Sequence, residues 1–384
     1  MRPKLPTAAE ILPYLETIDA HRWYSNWGPL ALRLEEQLAR RLGVPSELVV
    51  SNANCTAGLT VALLAREIPP GSHCIMPSWT FAATPHSARS AGLVPWFHDV
   101  DPRTWALNPD AVAESIKQMR TRPGAVIVVS PFGAPIDVQH WEAFEEHTGV
   151  PVIIDAAAGF DTFRISSIPS VVSLHATKIL GAGEGGFIAT TDSGLAHRIR
   201  ACCNFGFHDS RIAMVPAMNG KMSEYHAAVA LASLAAWPST RAQHLRIARC
   251  YRDALAPVRD AALQPGYGWV SSTTNVILPS GSASAISQTL REAGIETRSW
   301  WGSGCHLQPA FQDCPREALP VTEDLGNRVL GLPHFLDLPR QDVDRVVQAL
   351  SAALSVRSLR NLSERITASS HYPVGTPEAE PCPI

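Results

Sequence analysis

Strong charge is the first thing this 384-residue chain lacks: only 17% of its residues are Asp, Glu, Lys or Arg, and they sum to −3. A nucleic-acid or anionic-membrane surface needs a concentrated positive field, so the composition predicts neither partner. No C-x-x-C pair occurs among the eight cysteines, and no His/Cys cluster stands at zinc-ligand spacing. The chain is therefore read as metal-free, with its cysteines as reduced thiols. No apolar run approaches the roughly 18 residues of a membrane span. The N-terminal stretch "MRPKLPTAAEILPYLETID" carries acidic residues where a signal peptide needs an unbroken apolar core. Together these absences predict a cytoplasmic location.

What is present is apolar surface. Hydrophobic residues make up 46% of the chain, enough for a large core, and the length favours two domains. Short apolar runs ("ELVVSN", "HCIMP", "LVPWFHDV", "AVIVVSPFG", "PVIIDAA", "VVSLHA") read as buried strands. They alternate with helical patterns such as "TAGLTVALLARE" and "DVQHWEAFEEHTG". That alternation predicts an α/β fold with a mostly parallel sheet in a large domain, residues 1–240. "GEGGFIATTD" reads as an antiparallel return strand, and "KMSEYHAAVALASLAAW" as a helix stopped by Pro238. A smaller α+β domain, 241–356, is predicted from strand "NVILP", helix "SAISQTLREAG", strand "IETRSWW" and helix "QDVDRVVQALSAAL". Residues 357–384 lose apolar periodicity and read as a disordered tail.

"GAGEGG", Gly181 to Gly186, fits the dinucleotide pattern G-x-G-x-x-G on paper. That site needs a helix after the glycines and an acid about 20 residues on. Here a strand follows and Asp192 comes too early, so a tight turn is the reading. Asp155 closes the strand "VPVIID", at the edge where open parallel sheets bind ligands. A carboxylate there caps the next helix or serves a ligand. Lys178 follows at the end of the next apolar run, and lysine is rarely buried unless paired or reactive. A lysine and an aspartate at neighbouring strand ends suit pyridoxal 5'-phosphate. The lysine forms the imine, and the aspartate keeps the pyridine nitrogen protonated. The cofactor's phosphate needs a cradle. "SNANCTAGLTVALL" supplies one if the N–H groups of Thr56 and Ala57 face an anion at a helix N-terminus; Thr56 is equally readable as a plain N-cap. Ser173 lies at the same strand end as Lys178. Phe81, in "PSWTFAAT", stacks on a flat ring or belongs to the core.

These pieces, in this order, resemble the DegT/DnrJ/EryC1/StrS family of sugar aminotransferases, within fold type I of the pyridoxal phosphate enzymes. The resemblance runs from "RWYSNWGPL" to "LGLPHFLDL". "NCTAGLTVAL" is similar to the family's phosphate segment, "PSWTFAATPHSA" to its ring-stacking segment and "DVDPRTWALNPDAV" to its acidic turn. "IIDAAAGFD" resembles the ring-nitrogen aspartate segment, "SLHATKILGAGEGGFIATTD" the imine-lysine segment and "MNGKMSEYHAAVAL" the segment that crosses the dimer interface. The resemblance implies Lys178 as Schiff-base lysine and proton carrier, Asp155 at the pyridine nitrogen and Phe81 on the ring. It implies Thr56, Ala57 and Ser173 at the phosphate, joined by Asn219 from the other subunit of a homodimer. His175 matches a family position near the active site and is equally readable as a packed structural histidine. Lys221 is readable as a phosphate contact across the interface or as a solvated surface lysine.

Two departures stand out. Ala158 occupies the position where the family commonly has a glutamine on the cofactor's ring oxygen, and "VVSPFG" replaces a common histidine before the glycine turn. The implied reaction moves the amine of L-glutamate to a nucleotide-linked keto-sugar, most simply a dTDP- or GDP-linked 4-keto-6-deoxyhexose. Alternatives are a cyclitol or other ketone as acceptor, or a non-catalytic regulatory protein that kept the fold.

Overall fold

The computed structural model describes residues 2–207 and 210–369, with the backbone alone for 357–369. Seven strands build the larger sheet: β1 (Val49–Asn52), β2 (His73–Pro77), β3 (Val94–His98), β4 (Ala125–Val129), β5 (Val152–Asp155), β6 (Ser170–Ser173) and β7 (Gly186–Ala189). Their order across the sheet is β1-β7-β6-β5-β4-β2-β3. Strands β2 to β6 pair in parallel, while β7 runs antiparallel to both β6 and β1. The stretch read as a return strand is thus β7. Every residue of β4 ("AVIVV") and β5 ("VIID") is buried, the composition that a parallel strand covered on both faces demands.

The helices α1 (Ala8–His21), α2 (Pro29–Leu42), α3 (Cys55–Ala65), α4 (Ala83–Ser90), α5 (Pro109–Gln118), α6 (Val138–Thr148), α7 (Ser193–Cys203) and α8 (Glu224–Ala235) accompany this sheet. Helix α3 is apolar on all sides and buried along nearly its whole length, as a central helix must be. Helix α2 is one-sided: Leu30, Leu34 and Leu38 face the core at helical spacing.

Glu224, buried in the first turn of α8, ties these elements together. Its Oε2 accepts from the N–H of Leu30 at 2.7 Å and its Oε1 from that of Ala31 at 2.9 Å. A carboxylate at a helix N-terminus satisfies orphan donors and complements the dipole. Glu224→Ala leaves both N–H groups buried and unpaired, so we expect it to lower stability by about 3 kcal/mol. Urea unfolding checks this; a loss below about 1 kcal/mol would mean that water replaces the carboxylate.

Helix α9 (Trp237–Leu255) leads to the second sheet and spans the domain boundary drawn at residue 240. Pro238 does not merely stop the preceding helix, because it lies in the first turn of α9, where proline's missing N–H costs nothing. The second sheet is antiparallel, in the order β10-β9-β8, built from β8 (Ala262–Leu263), β9 (Thr274–Ile277) and β10 (Val329–Leu332). Helices α10 (Ala283–Glu292), α11 (Pro320–Arg328) and α12 (Arg340–Ser369) complete this part. Ile247 and Tyr251 of α9 pack with Ile286 of α10 and Val343 and Leu350 of α12 in one apolar cluster.

Two expectations are corrected. "IETRSWW" is not a strand: only Arg298 bridges to Gly331, and the strand beside β9 is β10. Trp300 lies with its indole against Gly331, where no Cβ would fit. Helix α12 continues to Ser369, into the stretch read as a tail, while 370–384 lie outside the described residues. Helices α1, α2, α7 and α11 were not assigned from sequence. Among the described residues no helix is long and apolar enough to cross a membrane, and no group of three metal-ligating side chains forms.

Candidate active site

Asp155 is the last residue of β5, and β6 beside it ends at Ser173, so the register places both at one edge of the sheet. Asp155 is buried. Its Oδ2 accepts from Thr84 Oγ1 at 2.9 Å and its Oδ1 from the Ala157 N–H at 3.1 Å. Burial raises its pKa above the usual carboxylate range, and the two hydrogen bonds and the charge of Lys178 oppose that rise. The carboxylate therefore has spare lone pairs and no hydrogen-bonded cation. A protonated ring nitrogen supplies what it lacks.

Lys178 lies beyond β6 in a loop pinned at its neck. Leu174 N–H donates to Gly185 O (2.9 Å), Ala176 N–H to Gly183 O (2.8 Å) and Ala182 N–H to Leu174 O (2.6 Å). Gly183 at φ +84° makes the turn, a conformation that side chains disfavour. "GAGEGG" is thus a tight turn into β7. The Lys178 ammonium makes no hydrogen bond or ion pair among the described residues. It is close enough to Asp155 and Cys55 for its charge to act on both. Two predicted residues, Asp155 and Lys178, accordingly meet the first turn of α3, which carries the predicted Thr56 and Ala57.

That first turn differs from expectation in one respect. The N-cap is Asn54, not Thr56, and its Oδ1 accepts from the Ala57 N–H at 2.9 Å. Ala57 is therefore already engaged by the cap, and the amides of Cys55 and Thr56 remain for an anion. Asn52, Gly186 and Ser173 stand in register across β1, β7 and β6 beneath this turn. A Cβ at Gly186 would lie 2.6 Å from Asn52 Oδ1 and 3.2 Å from the Cys55 nitrogen, so glycine lets α3 sit low on the sheet. Ser173 Oγ accepts from the His175 N–H at 3.2 Å, which leaves its own proton free to donate.

The remaining predicted residues sit further out. Phe81 follows β2 with 65% of its surface exposed, so it is not core. His175 is bonded through Nδ1 to Thr177 Oγ1 (2.8 Å), with Nε2 3.7 Å from Glu184 Oε1. Its ring braces the loop that carries Lys178. Asn219 is exposed and pairs with Asn204, and the neighbouring Gly220 carbonyl accepts from the Ala53 N–H at 2.7 Å. Lys221 is not a solvated lysine: its Nζ is buried 4.3 Å from the Phe205 ring, and burial lowers its pKa. Ala158 presents only a methyl group, and its carbonyl abuts Gly133, where a Cβ would come within 2.6 Å.

Sequence reasoning missed the Thr80–Thr84–Asp155 chain, in which the two threonine hydroxyls lie 2.8 Å apart. The i,i+4 spacing of Thr80 and Thr84 was the one available signal. It also missed the cavity that Lys178 shares with His244 and His334. Nothing in the sequence pairs those two histidines.

A buried aspartate, a lysine without a polar partner among the described residues and a helix N-terminus with free amides are a set of groups that pyridoxal phosphate fits. The model of the DegT/DnrJ/EryC1/StrS aminotransferase family matches residues 6–351, and the chain belongs to that family. Among curated relatives, Protein Rv3402c of Mycobacterium tuberculosis is 29% identical over 372 residues, covering 92% of this chain and 89% of the relative. Among solved structures, DesI, determined in the presence of its TDP-sugar product, is 33% identical with a TM-score of 0.84 and 94% of both chains covered. A DegT DnrJ EryC1 StrS aminotransferase from Brucella abortus is 28% identical, with a TM-score of 0.81 over 90% of this chain and 95% of the other.

Proposed function

We propose that this transaminase moves the amino group of L-glutamate to a nucleotide-linked keto-sugar, most simply a dTDP- or GDP-linked 4-keto-6-deoxyhexose, in the cytoplasm. The observation that carries the reading is the meeting of Asp155, Lys178 and the α3 N-terminus in a chain so similar to DesI. When bound, pyridoxal phosphate supplies the electron-accepting ring that lets an amine leave one substrate and join another.

The chain's own residues do the rest. Asp155 would hold the ring nitrogen in its protonated form. Its burial makes a cationic partner stabilising, because an unpaired buried carboxylate is costly. The amides of Cys55 and Thr56, with the Ser173 hydroxyl, would hold the phosphate. The partner subunit's Asn219 would join them in a homodimer. Phe81 would cover one face of the ring. Lys178, free of other polar partners among the described residues, would carry the proton between substrate carbon and cofactor. His175 would steady the Lys178 loop through Thr177 and Glu184.

The test is a visible absorption spectrum of the purified protein with pyridoxal phosphate, before and after L-glutamate. We expect a long-wavelength band from the Lys178–cofactor bond, which glutamate shifts to the shorter wavelength of the aminated cofactor. A band that glutamate leaves unchanged would sink glutamate as donor. No band at all would sink the role given to Lys178.

A further inference from the structure

Two hydroxyls reach the carboxylate of Asp155 in series. Thr84 Oγ1 donates to Asp155 Oδ2 at 2.9 Å, and Thr80 Oγ1 lies 2.8 Å from Thr84 Oγ1. All three residues are buried, so the chain of bonds is closed within a single protomer. Its mounting is fixed. Thr84 sits in the first turn of α4, and its carbonyl accepts from Ser87 Oγ at 2.7 Å. Thr80 precedes that helix; its N–H donates to Ser78 O at 3.0 Å and its carbonyl accepts from the Cys305 thiol at 3.3 Å. The Ala157 N–H takes the other carboxylate oxygen at 3.1 Å, so donors on both oxygens set the plane of the group.

Counting protons gives the chain a direction, since each hydroxyl has only one. With Asp155 ionised, Thr84 spends its proton on Oδ2, and the proton between the threonines then comes from Thr80. Both hydroxyl dipoles point at the carboxylate. A proton on Oδ2 would make Asp155 the donor, and both hydroxyls would have to turn round. The Thr80 proton would then be buried without an acceptor, because Thr80 Oγ1 has no other partner among the described residues. The chain therefore favours the anion. A hydrogen bond to a charged group is about twice as strong as a neutral one, and bonds in series strengthen one another. Burial works the other way and raises the pKa of Asp155, and the Thr84 bond leads the groups that oppose it.

We propose, resting on the placement of Asp155 at the cofactor's ring nitrogen, that Thr84 and Thr80 are positioning residues for the transamination. Thr84 acts on Asp155 directly and Thr80 through Thr84. Together they hold an oriented anion, so the proton stays on the ring nitrogen instead of passing to the carboxylate. Losing the relay lets the carboxylate take that proton, and the ring then draws electrons less strongly.

The test is a mutant cycle in the full-length protein. Thr84→Val keeps the shape and removes the donor. It should weaken pyridoxal phosphate binding to the cofactor-free protein about tenfold, read from quenching of tryptophan fluorescence. It should also slow the conversion of the long-wavelength band by saturating L-glutamate roughly 10- to 100-fold, with the half-saturating concentration within about threefold of the original. Thr80→Val should give the same pattern at roughly twofold. Thr84→Ser should recover most of the loss although serine fills less space than valine, which a packing defect would not allow. Asp155→Asn alone should lose more than Thr84→Val. Adding Thr84→Val to it should change cofactor binding by no more than about twofold, because Thr84 then has no anion to hold. A full further loss in that background overturns the relay, and so does Thr84→Val with binding and rate both unmoved. Asp155→Asn with unmoved cofactor binding overturns the placement of Asp155 itself. The binding titration needs no substrate, so a failure of glutamate as donor leaves it decisive.

Discussion

Lys178→Ala lowers amino transfer by at least about a thousandfold, the scale expected when a positioned proton carrier is lost together with its covalent role. Lys178→Arg does the same although the positive charge stays, since guanidinium does not lose its proton at working pH. The pair of variants separates charge from chemistry. If Lys178 served only as a counter-charge to Asp155, the arginine variant would keep most of the activity. Neither change should unfold the protein, because the ammonium has no polar partner among the described residues to leave unsatisfied, and substitutions of that kind usually stay within about 0.5 kcal/mol. Steady-state turnover with the keto-sugar, together with the thermal midpoint of each variant, checks both statements. An alanine variant that keeps a tenth of the activity would end the assignment.

Mild acid should strongly destabilise the protein. His244, in α9, and His334, just past β10, are buried with Nδ1 of the first 3.1 Å from Nε2 of the second. His334 Nδ1 lies 2.9 Å from Thr274 Oγ1, and His244 is also hydrogen-bonded to the Ser271 main chain. If Ser271 accepts through its carbonyl, the neutral tautomers are fixed. The His334 Nε2–H then donates to His244 Nδ1, and the Thr274 hydroxyl donates to His334 Nδ1. The ionisable groups that share the adjoining cavity are Arg2, Lys4 and Lys178, all cations that oppose a further positive charge. Burial pushes His244 down to about 4, and burial with its neighbour's charge pushes His334 down to about 3.

The sign follows directly. Below the ordinary value near 6.5 the unfolded chain binds protons that the folded chain refuses, so stability rises with pH across this range. The full contribution is present above pH 6.5 and is lost as pH falls toward the folded values near 4 and 3. By pH 4.5 the two groups together cost on the order of 3–5 kcal/mol, a large share of a typical folding free energy. Urea unfolding between pH 7 and 4.5 measures it. His334→Leu should flatten the acid limb, and an equally steep limb in that variant would place the acid sensitivity elsewhere.

Much of this was legible because it is local. The all-apolar strands β4 and β5, the glycine turn after Lys178 and the aspartate that closes β5 are set by neighbours in sequence and by the period of two or 3.6. Order along the chain is enough to put Asp155 beside the segment that leads to Lys178, because β5 and β6 follow one another and pair in parallel. Where local preference was weak, tertiary contact decided. "IETRSWW" has the composition of a strand, yet it touches β10 only at the Arg298–Gly331 bridge, and Trp300 lies across Gly331 instead. Thr56 and Asn54 are both good caps, and only the backbone path selected Asn54 and so withdrew the Ala57 amide from the anion site.

By itself the sequence determined the larger sheet, its hydrophobic burial and the places of residues 155 and 178, to which we assign the chemistry. The tertiary structure alone decided what those positions face: a buried carboxylate without a hydrogen-bonded cation, a neutral histidine pair behind the lysine and two threonine hydroxyls in line with that carboxylate. The physical reason is that burial and charge at a site come from side chains distant in sequence, here 2 to 4, 80 to 84, 244 and 334. Their convergence is a property of packing, which no period in the chain encodes.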